Sequence, residues 1–303
     1  MFSSLVRKKR NLVIALCVQS VSLFCEVPAS MPVSVTDPYG IDSAALTGNV
    51  VQVVEYKGTE LDKLIKRTVS NYNKGLIISE IQYSEAGDKK TGNTYEYSDD
   101  GRLLSITGTD AGGTAKWKYT YQYDAGGRQI QEISYDGSGN PEWKKTSTYS
   151  NAKKNVSEQI TYNTDGSVNL KTEFQYNDRN FVSAIISQYS DGKMLKRVLY
   201  TYTKGGHIAS EADYDATGLY EQTGYTYTDD GKLISFSSLG PDNQVKSKTV
   251  LTYGADGNVC REKVTGKDDA VRMDITYLYD LKGNWIWKND GTSLVLRKIT
   301  YGD

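Results

Sequence analysis

The sequence predicts an all-β protein: an extended antiparallel meander of repeated β-hairpins forming one curved, twisted sheet. Three observations carry this. The chain has 24 Tyr against 5 Phe, with 28 Gly but only 5 Pro and 4 Met. Strand formers mixed with so many turn residues read as short strands and frequent turns. A Tyr followed four residues later by Gly or Asn recurs at a nearly constant interval. Finally, turn signals fall about every 13 residues, which leaves no room for periodic helices.

The chain opens on an address. Arg7, Lys8, Lys9 and Arg10 precede an apolar run from Leu12 to Phe24. That run is too short for a membrane span of ~20 residues. Val27-Pro28-Ala29 then puts small residues just before Ser30, so 1–29 reads as a secretory signal peptide. Lipidation at Cys25 is disfavoured, because Phe24 rather than a small residue precedes it. Cleavage after Ala29 would remove four basic residues and one acidic residue and leave a single thiol, Cys260. The expectation is an exported protein (periplasmic, cell-surface or secreted) with no membrane span after cleavage. Its stability would come from sheet packing rather than disulfides.

Residues 30–45 are irregular, and 46–303 read as a single β-repeat domain of nine to ten hairpins. Val50–Tyr56 looks like the return strand of a degraded first copy. The anchors are Tyr72, Tyr97, Tyr123, Tyr149, Tyr176, Tyr202, Tyr227, Tyr253 and Tyr279, spaced 25 to 27 apart. Their turn partners are Gly101, Gly127, Asn180, Gly206, Gly231, Gly257 and Gly283. Gly75 comes one residue early, and Lys153 breaks the rule after Tyr149. Gly adopts the positive φ that closes such turns, and Asn tolerates it. A second, weaker turn lies half a period on, as in Tyr135-Asp-Gly-Ser-Gly139 and Tyr162-Asn-Thr-Asp-Gly166. Eight or nine residues remain per strand, about 28 Å at the usual rise. Ile299-Thr300-Tyr301 matches Ile275-Thr276-Tyr277, so the chain is expected to stop at a repeat edge with no appended domain.

The strand entering each anchor turn reads Tyr-x-Tyr, as in Tyr121/Tyr123 and Tyr200/Tyr202, which puts both rings on one face. Leu104, Ile130, Val156, Ile234 and Ile286 follow their anchors by seven and are expected to meet those rings across the hairpin. Anchors, residues two before an anchor position and second-turn tyrosines hold 20 of the 24 Tyr. The excess therefore belongs to the repeat. Charges repeat as well. Glu132, Glu158, Glu211 and Glu262 lie nine after an anchor; Arg67, Lys118, Lys144, Lys171, Arg197 and Lys248 lie five before. Glu132 with Lys144 and Glu158 with Lys171 are expected as solvated cross-strand pairs of small energetic value. Which face carries them depends on bulges, which swap parity.

Composition excludes several chemistries. One His rules out a poly-His metal site and makes a Ser-His-Asp triad depend on His207 alone. His207 stands where Arg102, Arg128 and Lys232 stand in other copies, so it reads as a neutral replacement. Three scattered Cys cannot build a four-cysteine zinc site. Asp99-Asp100-Gly101 and Asp229-Asp230-Gly231 lack a calcium loop's spacing and read as turns. With 36 basic and 37 acidic residues, an electrostatic nucleic-acid binder is not expected, and no cofactor is implied.

Tyr123-Asp124-Ala125-Gly126-Gly127-Arg128, Tyr279-Asp280-Leu281-Lys282-Gly283 and Tyr97-Ser98-Asp99-Asp100-Gly101-Arg102-Leu103 resemble the YD repeat of the RHS family. That family's pattern is Tyr-Asp-x-x-Gly-Arg-Leu. The resemblance covers about residues 66–303. The period here is about 26, against nearer 21 in the family, and the family's autoproteolytic segment and C-terminal toxin have no counterpart. The resemblance implies a secreted or surface-exposed β-repeat, a strip of the wall that larger members wind into a hollow shell. It also implies binding of carbohydrate or protein.

The function expected is that of an exported, non-enzymatic binding or scaffold module, with a glycan or protein surface as partner. Candidate ligand-binding residues are Trp117 and Trp143, each beside a Lys at the same repeat position, with Tyr121 and Tyr123. Trp285 and Trp287 read as a cap on an open sheet edge. Open edges would favour self-association through the end strands. The alternatives are a carbohydrate-active enzyme using paired carboxylates, and a scaffold or chaperone component of a secreted effector system.

Overall fold

The computed structural model describes residues 46–150 and 155–303. The signal peptide expected over 1–29, the segment 30–45 and Lys153 lie outside the described residues. Twenty strands follow in order. The first ten are β1 (Val50–Gly58), β2 (Ile65–Asn73), β3 (Leu76–Tyr83), β4 (Lys89–Tyr97), β5 (Leu103–Asp110), β6 (Ala115–Tyr123), β7 (Gln129–Asp136), β8 (Pro141–Tyr149), β9 (Val156–Asn163) and β10 (Val168–Tyr176). The remainder are β11 (Val182–Tyr189), β12 (Met194–Tyr202), β13 (Ile208–Asp215), β14 (Gly218–Tyr227), β15 (Leu233–Leu239), β16 (Val245–Tyr253), β17 (Val259–Gly266), β18 (Val271–Tyr279), β19 (Trp285–Asn289) and β20 (Leu294–Tyr301). One turn of 3₁₀ helix, Leu61–Lys63, interrupts the first connection.

Every strand pairs antiparallel with its sequence neighbours, and β1 also pairs with β20 from Val50↔Tyr301 to Gly58↔Leu294. The meander therefore closes into a barrel, a step the repeat alone left open. Each strand contacts essentially its two ladder neighbours, so no second layer packs on the sheet. Twenty strands about 4.8 Å apart make a wall at least about 30 Å across. Barrels of this strand number keep an open lumen rather than a side-chain-filled core.

The hairpins share one design. In the β6–β7 connection, Asp124 N donates to Arg128 O and Gly127 N donates to Asp124 O, both at 2.9 Å. Gly127 sits at φ 81° and Asn180 at φ 67°, the left-handed conformation the Gly/Asn rule requires. The second turns use the same two bonds, as between Asp110 and Thr114. The early Gly75 belongs to a two-residue turn in which Lys74 and Gly75 both have positive φ. A one-residue bulge interrupts nearly every pairing, usually just after the turn. Each bulge adds local twist and bends the wall toward closure.

The bulge also decides the faces. Ile130 occupies it, so Gln129 rather than Ile130 lies opposite Tyr123, and Glu132 lies opposite Tyr121. The residues seven after the anchors therefore mostly sit in bulges and not across from the rings. Tyr121, Tyr200, Tyr277, Val198, Leu251, Ile275, Glu132 and Lys145 share one face and are all buried. On the other face the residue before each anchor from Tyr97 to Tyr279, such as Gln122, Thr201 or Leu278, is exposed. A closed sheet has its smaller radius inside, where side chains crowd. The Tyr-x-Tyr face is thus the lumenal wall.

Two expectations are corrected here. Glu132 is fully buried and ion-paired with Lys145, not with Lys144, which lies opposite Ile133. Glu262 is also buried, so these carboxylates are not solvated pairs. Glu158 does meet Lys171, at 2.8 Å, but opposite Thr148 on the outer face, because the preceding turn is one residue longer. Second, no open edge exists among the described strands. Trp285 is buried with the Arg297 guanidinium 3.4 Å from its ring centroid, and Trp287 lies between Leu278 and Leu296 within the ladder.

Candidate functional site

The anchor tyrosines have a structural task. From Tyr97 to Tyr279, each anchor hydroxyl donates to a backbone carbonyl 19 or 20 residues upstream, in the preceding repeat. Tyr97 reaches Ile77 O, Tyr123 reaches Leu103 O, Tyr202 reaches Val182 O and Tyr279 reaches Val259 O, at 2.6 to 2.9 Å. The acceptor lies beside the bulge, where the ladder is interrupted. Half burial of the hydroxyl pushes the Tyr97 and Tyr202 pKa up to about 12.

The residue after each turn Gly completes the lock. Arg102 lies over Tyr123, Arg128 over Tyr149 and Lys232 over Tyr253, with 4.8 to 5.8 Å from charge to ring centroid. Phe181 stacks on Tyr202 and His207 on Tyr227, both at 4.9 Å. His207 therefore fills the position of the repeat's Arg. A Cβ at Gly127 or Gly231 would come within 3.0 Å of Arg102 or 2.5 Å of His207, so the turn Gly also makes room for this packing. Asp124 accepts from Gly126 N and Arg128 N at 2.9 Å, and backbone and Arg128 bonds hold its carboxyl below the usual range. Each residue of the Tyr-Asp-x-x-Gly-Arg signature thus has an assigned contact.

Of the predicted ligand-binding residues, Tyr123 is held in a lock and Tyr121 is 5% exposed, so neither offers a free ring face. Trp117 and Trp143 are half-buried, and the structure brings them together through Tyr119. Tyr119 lies 5.2 Å from Trp117 and 5.8 Å from Trp143, tilted 51° and 45°. Sequence reading missed Tyr119, although it lies two residues from each of Trp117 and Tyr121 on one strand face.

Small residues on neighbouring strands allow this cluster. Trp117 lies opposite Gly108, where a Cβ would stand 2.0 Å from the indole, so the ring rests flat on β5. Ser134 separates Tyr119 from Trp143 and donates to Glu142 Oε2 at 2.9 Å. Glu142 is the bulge residue after its turn, which swings it to the lumenal side. Below the rings lies the Glu132–Lys145 pair, and Lys145 Nζ is 5.9 Å from the Trp143 centroid.

A second lumenal cluster gathers Glu211, Asp213 and Glu221. Asp213 pairs with Lys196 at 2.8 Å, while Lys246 stands 3.7 Å from Glu221. Burial, then the Asp213 charge, pushes the Glu211 pKa up to about 7, against the opposing pull of Lys196.

These features define the class: a hollow β-barrel made of interlocked YD-type hairpins. The RHS Repeat family model matches residues 97–141, and the same contacts continue on both sides of that window. The chain is an RHS-repeat-like β-repeat protein. Among solved structures it is similar to the crystal structure of TcdB2-TccC3-Cdc42, at 14% identity and TM-score 0.34, over 77% of this chain and 15% of that one. It is also similar to a porin-like protein from Bacteroides uniformis ATCC 8492, at 13% identity and TM-score 0.37, over 84% of this chain and 99% of that one. No curated protein matches the chain.

Proposed function

We propose that the protein is an exported, non-enzymatic barrel that serves as a binding or scaffold module at the cell envelope or outside the cell, holding a glycan or protein partner. The closed ladder with no second layer carries this reading: it makes a rigid wall with an accessible lumen. The contacts made by the repeated Tyr, Asp, Gly and Arg residues are used in building that wall. Lys118, Lys144, Arg197 and Lys248 project from the outer face, where a membrane barrel carries an apolar band, which supports a barrel surrounded by water.

Three measurements test it. N-terminal sequencing of the protein recovered outside the cytoplasm is expected to start at Ser30. Glycan and protein arrays probed with the mature chain are expected to show saturable binding. Incubation with peptidoglycan or polysaccharide is expected to give no products, and sustained turnover would reverse the reading. A carbohydrate-active enzyme is the second reading, favoured by one observation: Glu211 near neutrality beside the Asp213 carboxylate is the pairing acid–base hydrolysis uses. Turnover abolished by Glu211→Gln would select it. Co-purification with a secreted effector would point to a chaperone role.

A further inference from the structure

The chain covers many of its own aromatic rings with its own cations. Lys144 lies over Tyr162, Arg197 over Tyr214 and Lys282 over Tyr301, in addition to the anchor pairs already described. Trp117 and Tyr119 depart from this habit: among the described residues, no Lys or Arg lies over either ring. Their neighbourhood is acidic. Asp136, opposite Trp117, accepts from its own turn at Ser138 N and Asn140 N, and Glu142 accepts from Ser134. Neither carboxylate has a basic partner among the described residues. Asp110 is already neutralised by Lys116 at 2.9 Å.

We propose that the lumenal cup of Trp117, Tyr119, Trp143 and Glu142 binds an organic ammonium group, of the kind carried by a choline ester or a methylated lysine side chain. The ring quadrupoles place negative potential over their faces, and a cation there is attracted most strongly by Trp. The tilts of 51° and 45° turn successive rings from coplanar, so their faces make a hollow and not a flat strip. Glu142 stands at the rim, exposed, where a carboxylate supplies the counter-charge. Gly108 and Ser134 keep the cup shallow by placing no bulk between the rings. The same charges disfavour phosphate, sulfate or an acidic saccharide. This inference concerns one sector of the wall and does not require the proposed scaffold role.

The mature chain would be titrated, at constant ionic strength, with choline chloride, with a peptide bearing trimethyl-lysine and with a neutral gluco-oligosaccharide. Indole fluorescence and calorimetry are the readouts. Saturable binding of at least one cation is expected, with tenfold or greater weakening in Trp117→Ala and in Glu142→Gln. Trp143→Phe, which keeps a ring, is expected to weaken it less. Glu142→Gln lies at an exposed bulge and should leave the circular dichroism spectrum unchanged, so it tests the site even if a Trp variant unfolds. Which of the two cations binds tells whether the source is a choline-bearing surface or a modified protein. Binding of the neutral oligosaccharide with no response to either cation would overturn the proposal. So would cation binding that Glu142→Gln leaves intact, or no binding at all; none of these outcomes depends on where the protein is exported.

Discussion

A single hydroxyl illustrates the energetics of this wall. Tyr123 could be replaced by Phe with almost no change in ring packing, but Leu103 O would lose its donor beside a bulge. A lost, partly buried hydrogen bond costs about 1 kcal/mol. Tyr123→Phe is therefore expected to lower stability by about that amount in urea unfolding. Tyr162→Phe, an outer-face ring packed by Lys144, should change it by less than about 0.5 kcal/mol. Glu211 gives a pH signature. Its folded pKa, near 7, exceeds the ordinary 4.5, so the folded chain holds the proton more tightly than the unfolded one. Stability should be greatest below about pH 4.5, fall as pH rises and level off above 7. Glu211→Gln is expected to remove that slope from an unfolding series between pH 4.5 and 8. The lowered carboxyls of Asp124 and Asp136 act in the opposite sense at lower pH, since their contribution is lost on acidification.

At the scale of the strand and turn, the sequence was informative about spacing and silent about parity. Turn glycines announce themselves because only a residue tolerant of positive φ can close the five-residue connection, and Asn180 does so as readily as Gly127. The bulge has no such marker. Ile130 and Gln129 are both acceptable strand residues, and nothing in their identity says which one lies opposite Tyr123. One unrecognised bulge moved the expected partner of Glu132 from Lys144 to Lys145, from the outer face to the lumen. That change matters energetically, since a buried carboxylate stranded without its ammonium is costly. Lys145→Met is accordingly expected to destabilise the protein by about 3 kcal/mol or more, whereas Lys144→Met should cost less than about 1 kcal/mol, both measured by chemical denaturation. The tryptophans were singled out for the right reason, an aromatic deviation within a tyrosine repeat. Tyr119 escaped notice because Tyr is the commonplace residue here. Only the flat rest of Trp117 on Gly108 showed that it joins two indoles.

For the whole molecule, closure is the property least visible in the chain. It depends on two segments at opposite ends, Val50–Gly58 and Leu294–Tyr301, finding each other in register. Local alternation shows that each is a strand, but not that they are neighbours. The seam is reinforced by Arg297, which contacts Glu55 at 3.2 Å and covers Trp285. Thr47 N also donates to Asn284 Oδ1, at 2.8 Å. Removing residues 46–58 would expose β2 and β20 as unpaired edges. The truncated chain is expected to associate at concentrations where the intact chain does not, as read by light scattering coupled to size exclusion. An unchanged molar mass would show that the seam is dispensable.

The tyrosine locks join each hairpin only to the one before it, and no contact reaches across the lumen. The circumference is therefore set by copy number alone, like the links of a bracelet. Each unit contributes two strands, so the total stays even and the first and last strands always meet antiparallel. Insertion or deletion of one unit of about 26 residues should widen or narrow the ring by roughly 10 Å of perimeter while leaving every remaining joint intact. Such a protein can acquire a new bore by a recombination event in its gene, with no new side-chain chemistry.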